Sequence, residues 1–135
     1  METAPALLNA RTALAACRGD AALARALTEQ YRTSLPAEQA ALAQAYAITP
    51  PDWATIRARV HRLQSGSAYL GIERIAVAAR RVEEGIRTQD STAARAAAWQ
   101  ALEQTFKEFL NVSPAEWDAR LTVVTRPSAD AFRRT

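Results

Sequence analysis

Trp53-Ala54-Thr55-Ile56-Arg57-Ala58-Arg59-Val60-His61-Arg62-Leu63-Gln64-Ser65-Gly66-Ser67-Ala68-Tyr69-Leu70 is the stretch on which the fold turns. At about 100° per residue, Trp53, Ile56, Val60, Leu63, Ser67 and Leu70 fall within one sector, the stripe of an amphipathic helix rather than the alternation of a strand. The spacing predicts a helix from Asp52 to about Ala68. Thr49-Pro50-Pro51 stops the preceding element, Asp52 is placed to cap this one, and Gly71 marks its break. His61, the single histidine, points away from the stripe. Its neighbours at helical offsets are Ala54, Arg57, Ala58, Gln64, Ser65 and Ala68, mostly alanine or serine, so a second protein can approach the ring closely.

Working outward, the same period recurs on both sides. Leu7, Leu8 and Leu14 lie in a short segment from Pro5 to Cys17, which ends at Arg18-Gly19-Asp20 with glycine as stop and aspartate as the next cap. From Ala21 to about Ala47, the series Leu23, Leu27, Tyr31, Leu35, Leu42 and Tyr46 keeps helical spacing, with Pro36 expected to kink the helix. Ile72, Ile75, Ala79, Val82 and Ile86 form a seam from Ile72 to Ile86. Trp99, Leu102, Phe106 and Phe109 form another between about Thr92 and Asn111. Ser113-Pro114-Ala115-Glu116 has the form of a capping box, opening a short helix that returns Trp117 and Leu121 to the core.

Four long amphipathic segments joined by short turns make an all-α, antiparallel four-helix bundle the economical arrangement, with a short extra N-terminal helix and a short C-terminal helix or tail. We expect the bundle to occupy residues 1–111 and a C-terminal extension residues 112–135, the chain fraying beyond Thr122.

Composition agrees. The 135 residues are 49% hydrophobic, much of that alanine, with only 4 glycines, which favours helices. The length suffices for one domain with its own core. Cys17 has no second cysteine to pair with, and one cysteine with one histidine cannot assemble a zinc site. A reducing cytoplasm fits. No run approaches a transmembrane span, and the start Met1-Glu2-Thr3-Ala4-Pro5 lacks the basic region of a signal peptide. The net charge of +3 is scattered among acids and not gathered in a stripe, which argues against nucleic acid and for an acidic protein partner.

Imidazole near neutral pH keeps one ring nitrogen with a lone pair able to attack an electrophile. Arg57 and Gln64 offer donors that can hold an anion beside it. A hydrolase is disfavoured, since there is no Gly-x-Ser-x-Gly turn and a bundle supplies no obvious oxyanion hole. The tryptophans read as packing residues, Cys17 as a small buried hydrophobe, and Arg80-Arg81 with Glu83-Glu84 as a solvated face of paired charges. Tyr69 and Leu70 either extend the surface beside His61 or pack at the helix end.

His61-Arg62-Leu63-Gln64-Ser65-Gly66-Ser67-Ala68-Tyr69-Leu70-Gly71 resembles, without gaps, the signature of histidine-containing phosphotransfer (HPt) domains, which commonly reads His-x-Leu-Lys-Gly-Ser-Ala with Leu-Gly ten residues past the histidine. The likeness runs from about Leu7 to Leu110 and includes Gly19-Asp20, Asp52 and Arg81-Val82-Glu83-Glu84, where the family often has Leu-Glu. It implies a helical bundle that relays a phosphoryl group between receiver-domain aspartates in two-component signalling. By resemblance, His61 is the phosphoacceptor and Gln64 and Ser65 stand at motif positions beside it; with Arg57, Ala58 and Ala68 on the same helix face they hold the phosphoryl group or form the docking surface. No resident cofactor or metal is implied, Mg²⁺ being carried by the partner receiver. The implied partners are response-regulator receiver domains and a hybrid sensor histidine kinase, met by a cytoplasmic monomer without turnover of its own. Gln64 stands where lysine is usual and Ser65 where glycine is usual. These departures keep a second reading open, a non-catalytic helical adaptor that binds receiver or kinase domains without transfer. The dimerisation hairpin of a histidine kinase fits less well, because Arg62 follows the histidine where that motif has an acid, and no proline comes shortly after.

Overall fold

The computed structural model describes residues 4–125, which fold as helices joined by short turns. In chain order these are α1 (Ala10–Ala16), α2 (Ala21–Ala47), α3 (Trp53–Tyr69), α4 (Glu73–Arg87), α5 (Thr92–Leu110) and α6 (Pro114–Thr125). The described residues contain no strand. Most starts are fixed by a side chain that satisfies an orphan backbone donor. Asn9 accepts from Thr12 N at 3.2 Å, Asp20 from Leu23 N at 3.0 Å, Asp52 from Thr55 N at 3.1 Å and Ser91 from Ala94 N at 3.1 Å. Ser113 Oγ accepts from Glu116 N at 3.2 Å, but Glu116 pairs with Arg120 at 3.1 Å, so the expected capping box forms only in half.

α2 packs on α3, α3 on α4, α4 on α5, and α5 returns to α2, closing a ring of four helices around the core. α1 and α6 lie against each other and against α2. The sequence stripes supply the core: Ile56, Val60 and Leu63 from α3, Ile75, Ala79 and Val82 from α4, Trp99, Leu102, Phe106 and Phe109 from α5. Trp117 and Leu121 join the same core from α6. That helix runs to Thr125, three residues beyond the expected fraying point; the tail expected after it, residues 126–135, lies outside the described residues.

α2 continues through Pro36, which faces solvent, so the carbonyl one turn back that loses its donor can be hydrated. One member of the α2 stripe is misplaced. Leu23 is exposed, and the smaller Ala24 and Thr28 turn inward in its place, because the first turns of α2 face the short α1. Thr28 is accommodated by donating to Ala24 O at 2.8 Å.

The turn between α3 and α4 is held from outside by the N-terminal segment. Asn9 N donates to Gly71 O at 2.7 Å, Arg74 N to Ala6 O at 3.0 Å, and Glu73 accepts from Ala6 N at 3.0 Å and from Asn9 Nδ2 at 3.2 Å. Gly71 sits at φ +75, and a Cβ there would lie 2.4 Å from the Asn9 carbonyl oxygen. Both the left-handed backbone and the close approach require glycine. This tight turn folds α4 back along α3 and so sets which residues of the two helices face each other.

Candidate functional site

His61 lies near the middle of α3 with its side chain 64% exposed. Behind it, Val60 and Leu63 are buried in the core, which fixes the ring's helix without covering the ring. Its Nδ1 is 2.7 Å from Oε2 of Glu83 on α4. An ionised carboxylate can only accept, so Nδ1 carries the hydrogen. In the neutral ring the lone pair is then on Nε2, the nitrogen remote from the backbone. Nε2 has no partner among the described residues.

Glu83 is itself only 19% exposed, packed at the α3–α4 seam. The His61 end of the contact faces solvent, and solvent-facing charged contacts contribute about 0.2–1 kcal/mol to folding. The consequence of the contact is therefore orientation and tautomer rather than stability. Glu83 corrects the expectation of a solvated face with internal charge pairs: among the described residues no ion pair joins Arg80 or Arg81 to Glu83 or Glu84.

The other residues singled out in the sequence share the outer side of α3. Arg57, Ala58, Ser65 and Ala68 are exposed and Gln64 is half-buried. The Ser65 hydroxyl donates to His61 O at 3.3 Å, so it is turned toward its own helix. Gly66 faces open space. Leu70 packs in the core, whereas Tyr69 is 57% exposed and donates through its hydroxyl to Ala16 O at 2.9 Å. The two readings of that pair thus divide, one residue to each. Between α2 and α3 runs a groove of about 430 Å³ bounded by Tyr31, Ser34, Glu38, Arg59, Arg62 and Gly66. Its floor is tied by Tyr31 Oη to the buried Ser67 Oγ at 2.6 Å, and its wall by Arg59 to Glu38 at 2.9 Å.

The described residues contain no group of three or more histidine, cysteine, aspartate or glutamate side chains fit to hold a metal ion. No helix among them is long and apolar enough to cross a membrane.

The arrangement, a solvent-facing imidazole held at Nδ1 on a helix of small outer residues, agrees with a family model, that of the Hpt domain, which matches residues 26–116, about two thirds of the chain. The chain belongs to the HPt family. No curated protein and no solved structure matches it significantly. Membership gives the chain a phosphotransfer role in two-component signalling, in the company of receiver domains and kinases. HPt domains are phosphocarriers rather than enzymes with turnover.

Within this HPt domain the residue missed as a site member is Glu83. One signal pointed to it: it stands where the resemblance places a Leu-Glu pair. That position 83 comes alongside position 61 follows from the way α4 folds back along α3 after Gly71.

Proposed function

We propose that His61 accepts a phosphoryl group from the phosphoaspartate of one receiver domain and passes it to another. The observation that carries this reading is the 2.7 Å contact between Nδ1 and Glu83, which directs the lone pair of an exposed ring outward on Nε2. In the transfer, the Nε2–P bond forms as the P–O bond of the acyl phosphate breaks, and the aspartate leaves as carboxylate. The ring gains positive charge, which the Glu83 carboxylate offsets while it keeps the Nδ1 hydrogen. No proton need leave Nε2.

Such chemistry is mostly positioning and charge stabilisation, and the receiver, with its Mg²⁺, supplies most of it. The small outer residues Ala58, Ser65 and Ala68 allow a receiver to approach. Arg57 and Gln64, one turn to either side of His61, are the α3 groups placed to meet the phosphoryl oxygens.

Incubation with a phosphorylated receiver and Mg²⁺ tests the reading. Label should move to the chain in an acid-labile, alkali-stable form, and His61→Gln should abolish it. Docking with no label on His61 would instead favour an adaptor. ATP alone should label nothing.

A further inference from the structure

α3 and α4 run antiparallel about the Gly71 turn. His61 faces Glu83, and two turns further along α3, Ala68 lines one groove with Ala76. Each step forward on α3 is therefore met by an equal step back on α4. This register puts Gln64 across from Arg80, and Arg57 across from Arg87.

These two facing pairs differ in kind. Arg57 and Arg87 carry like charges, and Arg87 also lies in the last turn of α4, where a cation is already favoured by the helix C-terminus. Arg80 faces a neutral amide. It is exposed, no ion pair joins it to a carboxylate among the described residues, and of the two acids one turn along α4, Glu83 is engaged by His61 while Glu84 points to solvent. Its guanidinium needs to span about one helical turn, roughly 5.4 Å along the groove, to meet a group carried on Nε2. A guanidinium presents several donors in a fork that matches phosphoryl oxygens, whereas Gln64 presents one neutral amide.

We propose that Arg80, from α4, supplies a second cation, beside Arg57, to the phosphoryl oxygens on His61, so that the charge missing at position 64 is provided from the opposite wall of the groove. The inference rests on His61 being the phosphoacceptor. It assigns a role to a residue that lies on neither the motif nor the histidine helix. Arg80 faces solvent, and its replacement leaves the core untouched.

The test compares the intact chain with Arg80→Gln, Arg80→Gln combined with Gln64→Lys, and His61→Gln, each given the same phosphorylated receiver and Mg²⁺. Arg80→Gln should slow label transfer about tenfold with an unchanged thermal midpoint. Adding Gln64→Lys should restore most of the rate, because a cation returns to the same groove from the other wall. A structural role for Arg80 would not be rescued this way. Transfer by Arg80→Gln within twofold of the intact chain, or a loss that Gln64→Lys fails to repair, overturns the assignment while label abolished by His61→Gln leaves the phosphoacceptor reading in place. An intact chain that takes no label from any receiver overturns both.

Discussion

Glu83 on α4 holds Nδ1 of His61 on α3 at 2.7 Å, across a seam that the sequence separates by more than twenty residues. Since the carboxylate can only accept, it selects the tautomer with its lone pair on Nε2. Glu83→Ala should therefore leave a mixture of tautomers, visible as averaged ¹⁵N shifts of the imidazole, where the intact protein shows one protonated Nδ1. Phosphotransfer should fall about tenfold, in the range of a lost charge-assisted hydrogen bond. The thermal midpoint should barely move, because the His61 end of the contact faces solvent. An unchanged imidazole spectrum in Glu83→Ala would remove Glu83 from the site.

Gly71→Ala is expected to be the most damaging single-methyl change near the site. The added carbon would sit 2.4 Å from the Asn9 carbonyl oxygen, and the backbone at φ +75 already disfavours a side chain by about 1–2 kcal/mol. The N-terminal segment must move, breaking the 2.7 Å bond from Asn9 N to Gly71 O. Denaturant unfolding should show a loss of about 2–4 kcal/mol, and amide exchange at Asn9 should accelerate. Full stability together with retained protection at Asn9 would show that the turn relaxes without cost.

Most of the helical frame was legible because its signals are local. The α5 stripe and, apart from the half-buried Trp53, the α3 stripe name their buried residues correctly, and Asp20 and Asp52 cap where a short acidic side chain precedes an apolar period. Leu23 was misread because spacing alone does not say which neighbour covers each turn of a long helix, and at the start of α2 it is Ala24 and Thr28 that turn inward. His61 was legible as a lone imidazole on a face of small residues. Glu83 was not, since its role depends on how α4 folds back on α3, and its neighbours Arg80, Arg81 and Glu84 make it look like one more solvated charge. Asn9 was also missed: its cap bond to Thr12 N is local, but its backbone bond to Gly71 O joins segments distant in sequence.

Asp52, at the start of the histidine helix, gives an acid-side prediction. The Thr55 hydroxyl at 2.7 Å, and then the Thr55 backbone N–H, hold its carboxyl below the usual carboxylate range. A group whose pKa is lowered by folding contributes stability above its unfolded pKa and loses it as pH falls through the folded value. The advantage of the intact protein over Asp52→Ala should thus be full near neutrality and shrink below about pH 4. Thermal midpoints of the two proteins across pH 2–7 check this. A gap that stays constant to pH 2 would mean that the charge on Asp52 is irrelevant to its cap.

Tyr31 and Ser67 tie α2 to the histidine helix from the buried side, Oη to Oγ at 2.6 Å. Burial pushes the phenol well above its ordinary pKa, more than the hydrogen bond to Ser67 lowers it, and the nearby Glu38 charge raises it further. Because the folded value lies above the unfolded one for an acid, the neutral phenol contributes stability that is complete below about pH 10 and is lost as pH rises from there toward the folded value. Tyr31→Phe should therefore flatten the alkaline decline in stability above about pH 10. At neutral pH it should cost about 1–3 kcal/mol, because the fully buried Ser67 hydroxyl loses its partner. Ser67→Ala should cost a similar amount by stranding the phenol. The double variant Tyr31→Phe with Ser67→Ala leaves neither group stranded, so it should be less destabilised than the two single changes added together. Denaturant unfolding of all four proteins at pH 7 measures that coupling, and strict additivity would show that the two hydroxyls act independently behind His61.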